Sequence, residues 1–321
     1  MVYRGGIFWY NTPMISTLCL LAAVTFAESK TLAVQICLDR EGYSCNTIDG
    51  QWGRKSQSAL EKYCAEKSIE VPATPEEAYD ALFSKDEKPL FRYETVTQDD
   101  IDALVDMPED PAKKAELEMM GYPTIKEMFA ERGHVSRRTI ERLNPGVDFS
   151  AIIAGAKIRI PDFPSMDDEL SVWPKGRAGG PRRPEAANVK ISLSKFEVAA
   201  YDKSGRMIAL FPCSIAKNKA KLPPNGELRI VNQIARPNYT YTPDYAPPGK
   251  KVSRYIWPSG PRCPVGVAWL GLNLPGYGIH GTPRPESIGS AESHGCFRLS
   301  NWNAARLYAI CPIGTTVIIE Q

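Results

Sequence analysis

Histidine is scarce in this 321-residue chain, three in all, and two of the three lie close to one cysteine. The segment reads Tyr277-Gly278-Ile279-His280-Gly281-Thr282, then a turn-rich stretch from Pro283 to Glu292, then Ser293-His294-Gly295-Cys296-Phe297-Arg298-Leu299-Ser300-Asn301. A thiol is a strong nucleophile as thiolate, and a neighbouring imidazole is the usual means of generating it at neutral pH. His280 can return across the loop to meet Cys296. His294 shares the parity of Cys296 and looks to the same side if the segment is extended. The bland alternative, a buried thiol and two satisfied imidazoles, needs three coincidences in one glycine-flanked segment. A zinc site is the other chemical reading, with His280, His294 and Cys296 as ligands, water as the fourth, and Glu286 or Glu292 as base. No Cys-x-x-Cys or His-Glu-x-x-His spacing supports it. A papain-like arrangement lacks its flanking residues and has the wrong chain order.

The elements that must hold this site are strands. Val189-Ile191-Leu193, Phe196-Val198, Met207 to Phe211, Leu228-Ile230 and Thr316 to Ile319 carry the apolar spacing of β structure. Tyr201-Asp202-Lys203-Ser204-Gly205 is hairpin-turn chemistry between two of them. A helix is predicted near Trp302 to Tyr308. The back half is therefore predominantly β.

The signature His-Gly-Thr, a loop, then Ser-His-Gly-Cys-x-Arg-Leu-x-Asn resembles the active-site motif of L,D-transpeptidases, the YkuD-type catalytic domain. The resemblance continues upstream through Leu210-Phe211-Pro212-Cys213-Ser214-Ile215-Ala216, Pro223-Pro224-Asn225-Gly226 and Pro264-Val265-Gly266, and downstream to Gly314-Thr315-Thr316-Val317. Asn225 replaces a more usual Thr, and Phe297 stands where Ile or Val is common. The resemblance implies Cys296 as nucleophile, His280 as its base and the Gly281 carbonyl as orienter of the imidazole. It implies an oxyanion and substrate group of His294, Gly295, Arg298 and Ser293, with Ser293 and Asn301 as structural hydrogen-bonders. A donor at an oxyanion is worth about 2.7–4 kcal/mol.

The implied reaction is acyl transfer through a Cys296 thioester. The L,D bond of a peptidoglycan tetrapeptide stem is cleaved and an amine takes the acyl group, cross-linking stems or anchoring an acceptor lipoprotein. An L,D-carboxypeptidase, in which water takes the acyl group, shares the first half-reaction. A non-catalytic wall-binding protein is the rival from another class. No cofactor, metal or nucleic acid is expected; peptidoglycan stems and glycan strands are the expected partners.

Net charge is only +2, but the charge is divided. Glu28 to Glu169 carries −11 and Leu170 to Gln321 carries +12. The basic back suits carboxylate-bearing stems. Met14 to Phe26 is apolar and precedes the small Ala27, which reads as a secretory signal cleaved after Ala27; Met14 is an alternative start, and an uncleaved anchor the alternative fate. Export to the periplasm or cell envelope follows. Without Cys19, seven cysteines remain, an odd number. A bridge between Cys45 and Cys64 is the favoured pairing among several.

The front half reads as two modules, so the fold class is multidomain α+β. Residues 28–70 form a small helical bundle. Its Leu38-Asp39-Arg40-Glu41-Gly42-Tyr43, Ile48-Asp49-Gly50-Gln51-Trp52-Gly53 and Ala59-Leu60 resemble a peptidoglycan-binding module. Residues 91–161 resemble a βααβ LysM module, with strands at Phe91 to Val96 and Ile158 to Pro161 and helices through Ile125, Met128, Phe129, Ile140 and Leu143. Asp99 to Met120 is an acidic insertion in that pattern. Residues 162–188 read as a linker, and 189–321 as a mainly β, sandwich-like catalytic domain.

Overall fold

A computed structural model describes residues 26, 29–171, 184–243, 253–293 and 295–321. The segment predicted as a signal peptide, Phe26 apart, falls outside these residues. No described helix is long and apolar enough to cross a membrane.

The first helices are α1, Lys30–Arg40, and α2, Arg54–Lys67, followed by α3, Pro75–Ala78. Leu32, Ile36 and Leu38 of α1 are fully buried, as the apolar spacing predicts. Strand β1, Phe91–Thr95, pairs antiparallel with β2, Lys157–Pro161, and between them lie four helices. Two are short and belong to the insertion: α4, Gln98–Asp102, and α5, Pro111–Ala115. The others are α6, Ile125–Arg132, capped by Thr124, and α7, Arg137–Leu143, capped by Ser136. Asn144 closes the unit: its amide donates to the carbonyls of Ile140 and Arg159 and accepts from the Arg159 N–H.

The predicted linker is structured at its start. Phe163 is buried, and α8, Met166–Ser171, packs Leu170 into the core of the back half. Two apolar side chains in a polar stretch suffice to dock it. Residues 172–183 lie outside the described set.

The described residues of the back half form twelve strands: β3 (Asn188–Ser192), β4 (Glu197–Tyr201), β5 (Met207–Pro212), β6 (Ile215–Ala216), β7 (Gly226–Ala235), β8 (Tyr239–Tyr241), β9 (Tyr255–Trp257), β10 (Ala268–Leu272), β11 (Gly278–His280), β12 (Ala291–Ser293), β13 (Phe297–Arg298) and β14 (Thr316–Glu320). Helix α9, Asn301–Ile310, lies before β14. Eight strands form one sheet in the order β13-β11-β10-β7-β14-β3-β4-β5. The sandwich expectation is corrected accordingly: among the described residues one large sheet is covered by α9 and α8, and two small pairs, β12-β6 and β8-β9, stand outside it. Alternation along strands cannot distinguish one sheet covered by helices from two sheets face to face, because both bury one side.

The front half is not a loose appendage. Leu210 on edge strand β5 exchanges backbone hydrogen bonds with Gly42 and Ser44. Asp39 on α1, fully buried, accepts from Arg306 of α9 at 2.8 Å and contacts His134 at 2.8 Å. The His134 ring lies stacked between Phe163 and Trp302, with centroids at 4.1 and 5.2 Å. The third histidine thus joins three parts of the chain. Burial lowers its pKa to about 4, because Arg306 already compensates Asp39 and a second cation there would be unmatched.

All seven described cysteines are free. Cys45 and Cys64 do not bridge. Both pack as small apolar groups in one cluster with Leu38, Leu60 and Phe83, and burial raises both thiol pKa values.

Candidate active site

Strand register builds the site. Ile234 on β7 faces Trp269 on β10, Trp269 faces His280 on β11, and His280 faces Arg298 on β13. Residues opposite one another on paired strands point to the same face. The four side chains therefore form a row across the sheet. The Trp269 indole stacks on the His280 ring with centroids 5.6 Å apart. Cys296 lies at a bend just before β13, two residues ahead of Arg298, and the backbone of Gly278 on β11 bonds to its thiol.

His280 is buried, and its Nδ1 lies 2.6 Å from the carbonyl oxygen of Gly281. A carbonyl oxygen only accepts, so Nδ1 carries the proton and Nε2 presents a lone pair. Burial lowers the imidazole pKa to about 4; Arg298 adds to this and the Gly281 bond opposes it. The ring is neutral at neutral pH.

Gly281 is required for space. A Cβ there would overlap the Asn301 side-chain oxygen. Asn301, fully buried at the head of α9, donates to the Pro261 carbonyl at 3.0 Å and accepts from the Val267 N–H at 3.3 Å. Two chain segments are thereby pinned behind the carbonyl that holds His280.

The Cys296 Sγ is 3.4 Å from the Gly276 carbonyl. Desolvation raises its pKa, while the Gly278 bond and the charge of Arg298 lower it. With the net shift upward, the resting group is the thiol, and a base must take its proton during attack. Arg298 is fixed by its backbone, which exchanges two 2.9 Å bonds with Ser214. Gly295 is partly buried near Tyr277, whose hydroxyl donates to the Lys221 carbonyl at 2.9 Å. Ser293 ends β12; its side chain and all of His294 lie outside the described residues.

The loop between His280 and Cys296 is braced from the front half. Asn46 donates to the Pro285 carbonyl at 2.9 Å, and Lys55 donates to that of Ile288. A cavity of about 240 Å³ opens behind this loop, between Glu131, Arg138, Arg262, Pro285 and Trp302; neither His280 nor Cys296 lines it. Among the described residues, no three His, Cys, Asp or Glu side chains gather to hold a metal, and Glu286 lines that cavity.

Sequence reasoning overlooked Trp269, Asn46 and Lys55. The alternation Trp269-Leu270-Gly271-Leu272 could have marked β10 and set Trp269 beside His280. Nothing local points to the two brace residues.

Residues 187–319 match the YkuD family, described as the L,D-transpeptidase catalytic domain. The L,D-transpeptidase relative YkuD of Bacillus licheniformis is 30% identical over 195 residues, 60% of this chain and 92% of that protein. The ErfK/SrfK L,D-transpeptidase relative of Escherichia coli is 26% identical over 200 residues, 61% of this chain and 59% of that one. YqjB of Bacillus subtilis, also named for L,D-transpeptidase, is 33% identical over 114 residues, 34% of this chain and 58% of that one.

Proposed function

The chain belongs to the L,D-transpeptidase family, and we propose that it works by ping-pong acyl transfer with Cys296 as nucleophile and His280 as general base. The single observation that carries the assignment is the Nδ1 contact of His280 with the Gly281 carbonyl, which leaves Nε2 unprotonated on the same strand, β11, whose Gly278 backbone bonds to the Cys296 thiol.

The Sγ proton passes to Nε2 as sulfur attacks the carbonyl of the L-centre of a diamino acid in a tetrapeptide stem. The carbonyl π pair moves onto oxygen, where backbone N–H groups of Gly295 and Cys296, with His294, receive it. The C–N bond breaks, and D-alanine leaves with the proton from Nε2. A thioester remains. An amine from a second stem or from a wall-anchored protein attacks it, its proton goes to Nε2, and the thiolate is reprotonated. Arg298, close enough to shift both His280 and Cys296, meets a substrate carboxylate or supports the pocket. Ser293 and Asn301 act as structural hydrogen-bonders.

Residues 28–70 and 91–161 serve as wall-facing modules, the second LysM-like, and 189–321 as the catalytic domain of an exported envelope enzyme. The excess of +12 from Leu170 onward supports encounter with polyanionic stems.

Purified disaccharide-tetrapeptide, incubated with the full chain and with Cys296→Ala and read by mass spectrometry, tests the assignment. A dimer lacking one D-alanine, absent in the variant, is expected. Loss of D-alanine without dimer would make the protein an L,D-carboxypeptidase. No Cys296-dependent change would leave a wall-binding protein.

A further inference from the structure

The acidic insertion has a place to dock. It lies against the small β8-β9 pair, which among the described residues joins neither the large sheet nor β12. Trp257 on β9 donates its indole N–H to the Pro111 carbonyl at 2.9 Å, and the Lys114 ammonium lies 4.9 Å over its ring. The same ring stacks on Tyr241 at 4.4 Å and touches Tyr239 at 5.8 Å. At the far end of the insertion, the Met120 N–H donates to Ser259 at 2.9 Å, and its carbonyl accepts from the Arg262 N–H at 3.0 Å. Gly260 permits this approach: its φ is +144, and a Cβ there would overlap the Met120 backbone.

What the insertion grips lies beside the chemistry. The Tyr239 phenol lies within electrostatic reach of both Cys296 and Arg298. Beyond Gly260 the chain runs to Pro261, which anchors Asn301, and to Gly266, which abuts Gly281. One docked segment therefore reaches the wall next to the thiol and the support behind the base. Met120, Trp257 and Cys263 are buried in this contact, with Tyr239, Tyr241 and Tyr255 around them.

We propose that the Asp99–Met120 insertion decides which nucleophile resolves the acyl-enzyme, by clamping β8 and β9 as a fixed wall that denies bulk water a path to the Cys296 thioester. The inference rests on the Cys296 thioester proposed above. Hydrolysis and transfer differ only in the attacking group. Water gives one proton to Nε2 and leaves a carboxylic acid; an amine gives one proton to Nε2 and leaves an amide; in both the C–S bond breaks and the thiol returns. Water vastly outnumbers any acceptor amine, so transfer requires a site that excludes it while admitting the amine.

The test compares full-length wild type, Gly260→Ala, Trp257→Phe and Lys114→Ala on disaccharide-tetrapeptide, reading dimer, hydrolysed tripeptide and free D-alanine. Gly260→Ala is expected to lower the dimer-to-tripeptide ratio about fivefold or more, with D-alanine release reduced less than about threefold; Trp257→Phe should lie between it and wild type. Lys114→Ala, with both bonds intact, should stay closest to wild type. An unchanged ratio in the first two variants overturns the inference, as does a parallel loss of dimer and D-alanine release in both. If wild-type D-alanine release does not depend on Cys296, the thioester itself is wrong. If release depends on Cys296 but wild type forms only tripeptide, the thioester stands and the clamp fails.

Discussion

His280 donates its Nδ1 proton to the carbonyl of Gly281, the residue that follows it, across 2.6 Å. The orienting partner is a backbone atom, so it carries no charge and cannot raise the imidazole pKa as a carboxylate would. Burial is then opposed only weakly, and the ring sits at about 4.

The acid limb of kcat/KM should therefore come late. Protonation at Nε2 removes the base, so activity is lost as pH falls through about 4, well below the ordinary histidine value of 6.5. A rate profile of D-alanine release on the acid side measures it. A limb centred near 6.5 would mean that His280 is solvated or is not the base.

Gly281→Ala should keep the fold and lose rate. The added methyl must displace the Asn301 side chain or the carbonyl that aims His280. A misplaced base costs on the order of 100-fold in kcat, with KM changed far less. Kinetics together with a melting curve separate this from unfolding; wild-type kcat would show that the carbonyl's position is not critical.

Glu131 gives stability a particular pH dependence. Burial raises its pKa from 4.5 to about 8, against the lowering effect of bonds from Asn301 and Tyr122. The native carboxyl stays protonated where the unfolded one ionises, so its contribution is full below 4.5 and is lost as pH rises to about 8. His134 acts oppositely: its contribution is present above 6.5 and is lost as pH falls to about 4. Between 6.5 and 8 the Glu131 effect is not offset by His134. Glu131→Gln should gain about 2 kcal/mol on wild type over that interval. Denaturant titrations at the two pH values check it; a constant difference would show that Glu131 is ionised in the native state.

Arg306→Met should destabilise by about 3–5 kcal/mol, because Asp39 is left as a buried carboxylate with only neutral partners, His134 and Ser44, beside it. Adding Asp39→Asn should recover much of the loss. If the double variant is as unstable as the single, the cost lies in the packing of Arg306 and not in the charge. Denaturant midpoints of the three proteins decide between these.

How far the sequence could be read depended on the range of the interactions. The motif that resembles the family is dense and local, so Cys296, His280 and Gly281 could be put forward together as candidates. The large sheet's strands were visible as apolar alternation, but their order was not, since it rests on pairings such as β14 beside β3 across most of the back half. Phe163 and Leu170 dock a stretch whose composition resembled a tether. His134 had no local pattern at all; its partners are Asp39, Phe163, Trp302 and Arg306, brought together only by the fold. The Asp99–Met120 insertion was conspicuous as an interruption, while its partner Trp257 lies beyond the linker and half the sheet.

The backbone bonds from Gly42 and Ser44 to Leu210 bear on how such a protein can be recombined. Leu210 lies on the outermost strand of the large sheet, and an uncovered outer strand is a template for pairing with other chains. Modules strung on tethers can be exchanged for one another, since each brings its own finished surface. Here the first module supplies the selvedge of the last. Grafting a different module onto residues 189–321 would leave β5 open to self-association, so inheritance of the two halves as a unit is a matter of solubility.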